Sequence, residues 1–110
     1  MNDKSRKFLT DISIAIEHIE NFCIDTASFG IYQQDLKTKS AVERQLAIIG
    51  EAVNKLIQSD SEIILSKAKE IIQFRNRAIH AYDSIDDSIV WVILKNHLPV
   101  LKFEVEKLLV

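Results

Sequence analysis

The chain has 110 residues, a formal net charge of −2 and a single cysteine. This length fits one domain with a small core, and 47% hydrophobic with 27% charged residues excludes a disordered chain. The acidic balance excludes a general nucleic-acid coat, so any RNA contact must come from a local patch, and Cys23 alone excludes an internal disulfide framework.

Two glycines and one proline leave little turn chemistry for hairpins, so the chain should be helical with few connections. The first helix is expected from about Ser5 to Ile24, with Phe8, Ile12, Ala15, Ile16, Ile19, Phe22 and Cys23 on one stripe. A break follows from Asp25 to Tyr32, with Gly30 as pivot and a short helical turn around Ser28. The second helix should run from Asp35 to Gln58 on Val42, Leu46, Ile49, Val53, Leu56 and Ile57. Gly50 inside it costs roughly 1 kcal/mol of helix propensity against alanine, which close helix packing would explain.

A third helix should start near Asp60 or Ser61, either a good N-cap, and carry Ile63, Ile64, Ala68, Ile71, Ile72 and Phe74. A fourth should start at Asp86–Asp87, where carboxylates suit a helix N-terminus. Its stripe is Ile89, Val90, Ile93, Leu94, Leu98, Leu101, Val105 and Leu108, and Pro99 predicts a kink. Four helices with short connections predict one domain, residues 1–110, folded as an all-α antiparallel four-helix bundle. The nearly continuous apolar run Val90–Leu94 suggests burial on two sides, and so a homodimer. The polar opening MNDKSRK has no apolar leader run behind it, and no stretch approaches the ~20 apolar residues of a membrane span. A cytoplasmic chain is expected.

FRNRAIHAY, residues 74–82, places two arginines, an asparagine, a histidine and a tyrosine between two amphipathic stretches. On a continuous helix, Arg75, Asn76, His80, Tyr82 and Asp83 would share one side over roughly 160°, with Arg77, Ala78 and Ala81 pointing elsewhere. Arg75 and His80 would lie roughly 140° apart, enough to line one broad groove, such as two copies facing across a two-fold axis would make. These side chains suit RNA phosphodiester cleavage. Histidine moves the protons of the 2′-hydroxyl and the leaving oxygen, and arginine meets the charge on phosphate. Asparagine can orient either, tyrosine can stack on a base, and no metal or other cofactor is required. A lone arginine–histidine pair on a helix is more often a satisfied surface or interface feature.

The motif Arg75-Asn76-Arg77-Ala78-Ile79-His80-Ala81-Tyr82 resembles the R-x4-6-H-x-Y motif of HepT-like toxins, a branch of the HEPN ribonucleases. VERQLAIIGEAVNKL, residues 42–56, resembles the family's second-helix signature, and Asp86–Asp87, Trp91 and Leu98–Pro99 fit its last helix. The resemblance covers nearly the whole chain. It implies an all-α homodimer with the two motifs at an intersubunit cleft. It implies a metal-independent endoribonuclease, the toxin of a type VII toxin–antitoxin pair. The partner would be a small minimal (MNT-type) nucleotidyltransferase that silences the toxin by transferring AMP to the motif tyrosine. Carried over, Arg75 and His80 are catalytic, Asn76 assists and Tyr82 is the AMPylated residue. AMP on Tyr82 would add bulk and negative charge beside Arg75. The family often has glycine where this chain has Ala81.

Elsewhere, His18 reads as solvated and His97 as an interface or core-edge histidine without a catalytic partner. The histidines and Cys23 give no zinc spacing. Glu43 reads as a surface charge, whereas Glu51 could orient Arg75 or Arg77. Scattered basic residues (Lys4, Arg6, Lys7, Lys37, Lys39, Arg44) offer at most a weak RNA rim. Two other functions compete: a non-catalytic module that holds nucleotide or substrate for a nucleotidyltransferase, and a purely structural dimer. The RNA itself is not named by the sequence; tRNA is a family-level expectation.

Overall fold

Short polar residues set where most of the helices begin. In the computed structural model, which describes residues 1–110, Asn2 caps α1 (Asp3–Phe22) by accepting the Ser5 N–H at 2.8 Å. Ser28 caps a one-and-a-half-turn helix α2 (Phe29–Gln34) by accepting the Ile31 N–H at 3.2 Å. Asp35 caps α3 (Leu36–Ser59) through both carboxylate oxygens, one on the Thr38 N–H and one on its hydroxyl. Asp86 caps α5 (Asp87–Val92) on the Ser88 N–H at 2.8 Å. α4 (Ala68–His80) starts without a side-chain cap. Gly30 falls inside α2 and not at a pivot, and no residue has a positive φ.

The third long helix begins at Ala68, not at Asp60 or Ser61. Asp60 is already engaged: it follows α3, and its Oδ2 accepts the Ser5 hydroxyl at 3.1 Å. Ile63 and Leu65 are both buried while Ile64 is 81% exposed. A helix would throw residues two apart onto opposite faces, so an irregular strap is the way both enter the core. Glu104 receives the Ser66 N–H at 3.1 Å and ties the strap to the last helix.

The last helical stretch is broken into α5, a π turn over Ile93–His97 and α6 (Leu98–Leu109). Pro99 has no N–H to give, and its ring crowds the preceding carbonyls. The chain widens by one residue just before it, so the Leu98 N–H reaches back five residues to the Ile93 carbonyl. The irregularity expected at Pro99 is thus a π turn.

One cluster of 21 buried apolar residues joins all these elements. From α1 come Leu9, Ile12, Ala15, Ile16 and Ile19; from α3 come Val42, Leu46, Ile49, Val53 and Leu56. Leu9, absent from the expected stripe, is fully buried, whereas Phe22 is 39% exposed. Ser5 beside Asp60 sets the start of α1 against the end of α3, and Glu20 meets Lys102 at 2.8 Å to fasten α1 to α6. No helix is long and apolar enough to cross a membrane.

α2 acts as a wedge. Its Tyr32 is wholly buried, with its ring centroid 5.7 Å from that of Trp91, and Phe29 lies 6.1 Å from the same indole. Lys95 covers another part of the indole at 4.6 Å. Nearby, Lys39 and Asp87 pair at 2.8 Å, linking the start of α3 to the start of α5. Glu43 is not a free surface charge. Burial pushes its carboxyl above the usual range, Asp87 adds to this and Lys39 opposes it.

Close approach of α3 and α4 occurs at Gly50, as its place in the helix suggested. A Cβ there would overlap the Cβ of Arg75 and lie 3.1 Å from both Arg75 Cγ and the Ile71 carbonyl oxygen.

Two predictions follow from this packing. Gly50→Ala should destabilise the chain by up to about 2 kcal/mol, because overpacking of about 1–3 kcal/mol at the Arg75 stem opposes alanine's better propensity of about 1 kcal/mol; a raised urea midpoint would contradict it. A Glu43 carboxyl raised in the native state favours the protonated form, so its contribution to stability falls as pH rises from the unfolded value through the folded one. Glu43→Gln should therefore raise the melting temperature near neutral pH, and the gain should vanish in acid where the wild-type carboxyl is protonated.

Candidate functional site

The polar motif straddles the end of α4 and does not lie on one continuous helix. Residues 75–80 are helical, and Arg77 and His80 occupy the last turn, where the helix carbonyls favour basic side chains. Ala81 leaves the helix at φ −150°, ψ 48°, and Tyr82–Ser84 form a 3-10 turn. Tyr82 and Asp83 therefore do not share the helical face of Asn76 and His80. Ala81 takes a negative φ, so the position needs no glycine. The exit is held by Ser84, whose hydroxyl donates to the Ala81 carbonyl at 2.9 Å and accepts from Arg77 Nη1 at 3.2 Å.

The two motif arginines have different fates. Arg75 turns toward α3, beneath Gly50, with a side chain only 16% exposed. Its Nη2 meets Glu51 Oε2 at 2.7 Å, and its Nη1 donates to Asn76 Oδ1 at 2.6 Å. Its Nε is buried without a partner. Lys55 approaches the other oxygen of Glu51 at 3.5 Å. Of the two arginines the sequence offered to Glu51, the structure pairs Arg75.

The second arginine faces a cleft of about 890 Å³ between α4 and the last helical stretch. Asn76, Arg77 and His80 line it from α4; Ile89 and Val92 line it from α5; His97 lines it from the π turn. Arg75 is not among its walls, and Arg77 makes no ion pair. A cleft of this size suits a nucleotide-sized ligand; its charged wall residues are Arg77 and, two turns earlier on the same face of α4, Glu70. Tyr82 stands outside it, 76% exposed at the motif's end. No three His, Cys, Asp or Glu side chains converge in a way that could hold a metal ion.

Residues 12–108 match the family model described as Ribonuclease HepT-like. The chain belongs to the HepT-like ribonuclease family. Across 110 residues it is 37% identical to "Probable ribonuclease HepT" of Thermococcus cleftensis, covering 98% of both chains. It is 33% identical over 109 residues to an RNase-named chain of Methanocaldococcus jannaschii, with 94% of this chain and 86% of that one covered. A chain of Caldanaerobacter subterraneus, also named as an RNase, is 32% identical over 102 residues, with 86% and 90% covered. No solved structure matches.

Two wall residues of the cleft carry no site role in the sequence reading. Arg77 was placed away from the motif face, yet it lies three residues from His80, roughly 60° apart on a helix, against roughly 140° for Arg75. That spacing was available as a signal. His97 lies in another element, and no periodicity connects it to His80; only the packing of the π turn against α4 does.

The Arg75–Glu51 contact makes its own prediction. Glu51→Ala leaves a largely buried guanidinium without its carboxylate and should cost about 1–2 kcal/mol, between the values for exposed and buried pairs. Urea unfolding at low and high salt would measure it, and a change within error of zero would show the pair to be incidental.

Proposed function

We propose that this chain is a metal-independent endoribonuclease, the toxin of a type VII toxin–antitoxin pair, working in the cytoplasm as a homodimer of antiparallel helical bundles. The observation that carries the reading is the cleft at the end of α4, where His80 and Asn76 stand with Arg77 in a space of nucleotide size, while Arg75 pairs with Glu51 outside its walls. Membership of a family whose model and relatives are named ribonucleases gives the reaction class.

In this reading Arg75 and His80 are the catalytic residues. The 2′-hydroxyl oxygen bonds to phosphorus, its proton passes to a base, and the 5′-oxygen leaves with a proton from an acid. His80 serves one of these transfers. Arg75, which lies outside the cleft walls of the single subunit, stabilises the charge that builds on the phosphoryl oxygens once a second motif joins the cleft, with Glu51 and Asn76 fixing its guanidinium. Pairing of two subunits would add the second motif to the same cleft. It would also cover exposed Ile79, Ile89 and Val92, which border the motif and the cleft.

The exposure of Tyr82 supports its role as acceptor of AMP from an MNT-type nucleotidyltransferase antitoxin. An exposed phenol beyond a helix end can enter a second enzyme's active site without unfolding of α4. The added phosphate would then bring negative charge to the side of the molecule on which RNA must dock. A structured RNA such as tRNA is the substrate class this reading favours, because a net charge of −2 does not support indiscriminate binding.

The second reading is a non-catalytic nucleotide- or substrate-binding module beside a nucleotidyltransferase. Its support is the pairing of Arg75 with Glu51 at 2.7 Å, which gives the motif arginine a structural partner in the single subunit.

Cleavage of several RNA classes, tRNA included, by chain shown by intact mass to be unmodified at Tyr82 separates the two. In EDTA, wild type should cut and leave 2′,3′-cyclic phosphate ends. His80→Ala and Arg75→Ala should each lose at least about 100-fold, the range for a proton-transfer or charge-stabilising group. Saturable nucleotide binding without cleavage would establish the binding module instead. Undiminished cleavage by His80→Ala would refute the nuclease assignment.

A further inference from the structure

A smaller cavity of about 340 Å³ lies between the end of α1 and the last helical stretch, and it shares no wall residue with the cleft of His80. Ile16 and Ile19 of α1 wall it against Trp91 of α5, Leu94 of the π turn and Leu98 of α6. The volume is at the lower end of the range for small-molecule pockets, which join mostly apolar walls to a few polar groups. One helical turn with its side chains, about 10 Å across and about 5 Å long, would already overfill it. Three charged groups stand on the walls. Glu20 and Lys102 meet each other at 2.8 Å. Lys95 has no ion-pair partner, and its ammonium is held 4.6 Å from the Trp91 ring centroid. Cys23 completes the wall as a neutral group. Burial pushes its thiol above the ordinary range, with Lys95 opposing.

We infer that this cavity binds a small amphipathic carboxylate, such as a medium-chain fatty acid, with its apolar body between α1 and the last helical stretch and its carboxylate on Lys95. Once Glu20 and Lys102 cancel, one positive charge remains on the walls, which favours an anion over a cation. Lys102 is already engaged, so a single ammonium is left to meet the head group. That matches one negative charge better than the nearly double charge of a phosphate monoester. The indole fixes the ammonium beside the apolar walls, where a carboxylate can reach it without withdrawing its tail. The π turn contributes both Leu94 and Lys95, and such turns recur at functional sites. A neutral thiol is a poor nucleophile, so binding is non-covalent. Because no motif residue lines the cavity, its occupancy can be measured without reference to RNA cleavage.

Trp91 is the only tryptophan in the chain and lines the cavity, so its fluorescence reports occupancy directly. Titration of the full-length chain with sodium decanoate, below micelle-forming concentrations, should give a saturating change with helix content unaltered by circular dichroism. From hexanoate to decanoate, affinity should rise about threefold to fourfold for each added CH₂ as the tail is buried. Lys95→Gln should weaken decanoate at least about threefold, the upper range for an exposed ion pair, and leave decanol within about twofold. Alkylation of Cys23 by iodoacetamide, followed by intact mass, should slow at saturating decanoate. A linear change without saturation, or loss of helix, would mark adventitious partition onto apolar surface and overturn the site. Equal weakening of decanoate and decanol by Lys95→Gln, or weakening of neither, would remove the carboxylate from Lys95. Unslowed alkylation would place the ligand outside this cavity.

Discussion

The contact on which the site depends is the close approach of α3 and α4 at Gly50. With no Cβ there, the stem of Arg75 lies directly on the α3 backbone, and the Ile71 carbonyl comes equally near. The next residue, Glu51, is thereby within ion-pair distance of the arginine it shields. Arg75 in turn holds Asn76, and α4 is fixed in rotation about its axis. Once that rotation is set, Arg77 and His80 must face the opposite side, toward the last helical stretch. A glycine that weakens a helix in isolation is what allows the two helices to meet closely enough for this to happen.

A second constraint comes from the aromatic wedge. Tyr32 and Phe29 of the short α2 hold Trp91 on one side of α5, and Lys95 covers the ring. The Lys39–Asp87 pair pins the beginning of α5 to the beginning of α3. The last helix is thus positioned before its π turn, and Pro99 forces that turn where His97 can reach the cleft. The cleft is therefore a product of two independent anchors, one for each wall. Its apolar floor and its exposed margin of Ile89 and Val92 are left as surface by the single subunit.

The placement of the motif across a helix end also has consequences. A continuous helix would keep Tyr82 on the face of its neighbours. Ending α4 at His80 frees the tyrosine to project into solvent, while the cleft residues stay fixed by main-chain hydrogen bonds of the last turn. Tyr82 and the cleft residues are then adjacent in sequence and separate in space. The Ser84 bridge between Arg77 and the Ala81 carbonyl steadies the exit.

By itself the sequence determined the helical content, the bounds of α1 and α3 to within about two residues, as is usual at frayed ends, and the stripes that build the core. Apolar spacing and cap residues carry that information locally. Its motifs indicated the HepT-like family, and they singled out Gly50, Glu51 and the polar cluster at 75–82. Tertiary structure alone decided which arginine meets Glu51 and which remains free, because both lie within about a turn and a half of His80 and only packing against Gly50 selects between them. It alone started α4 at Ala68, since Asp60 was drawn to Ser5 and the core took both Ile63 and Leu65. It alone brought His97 to the cleft of His80, a long-range contact for which a local period holds no signal.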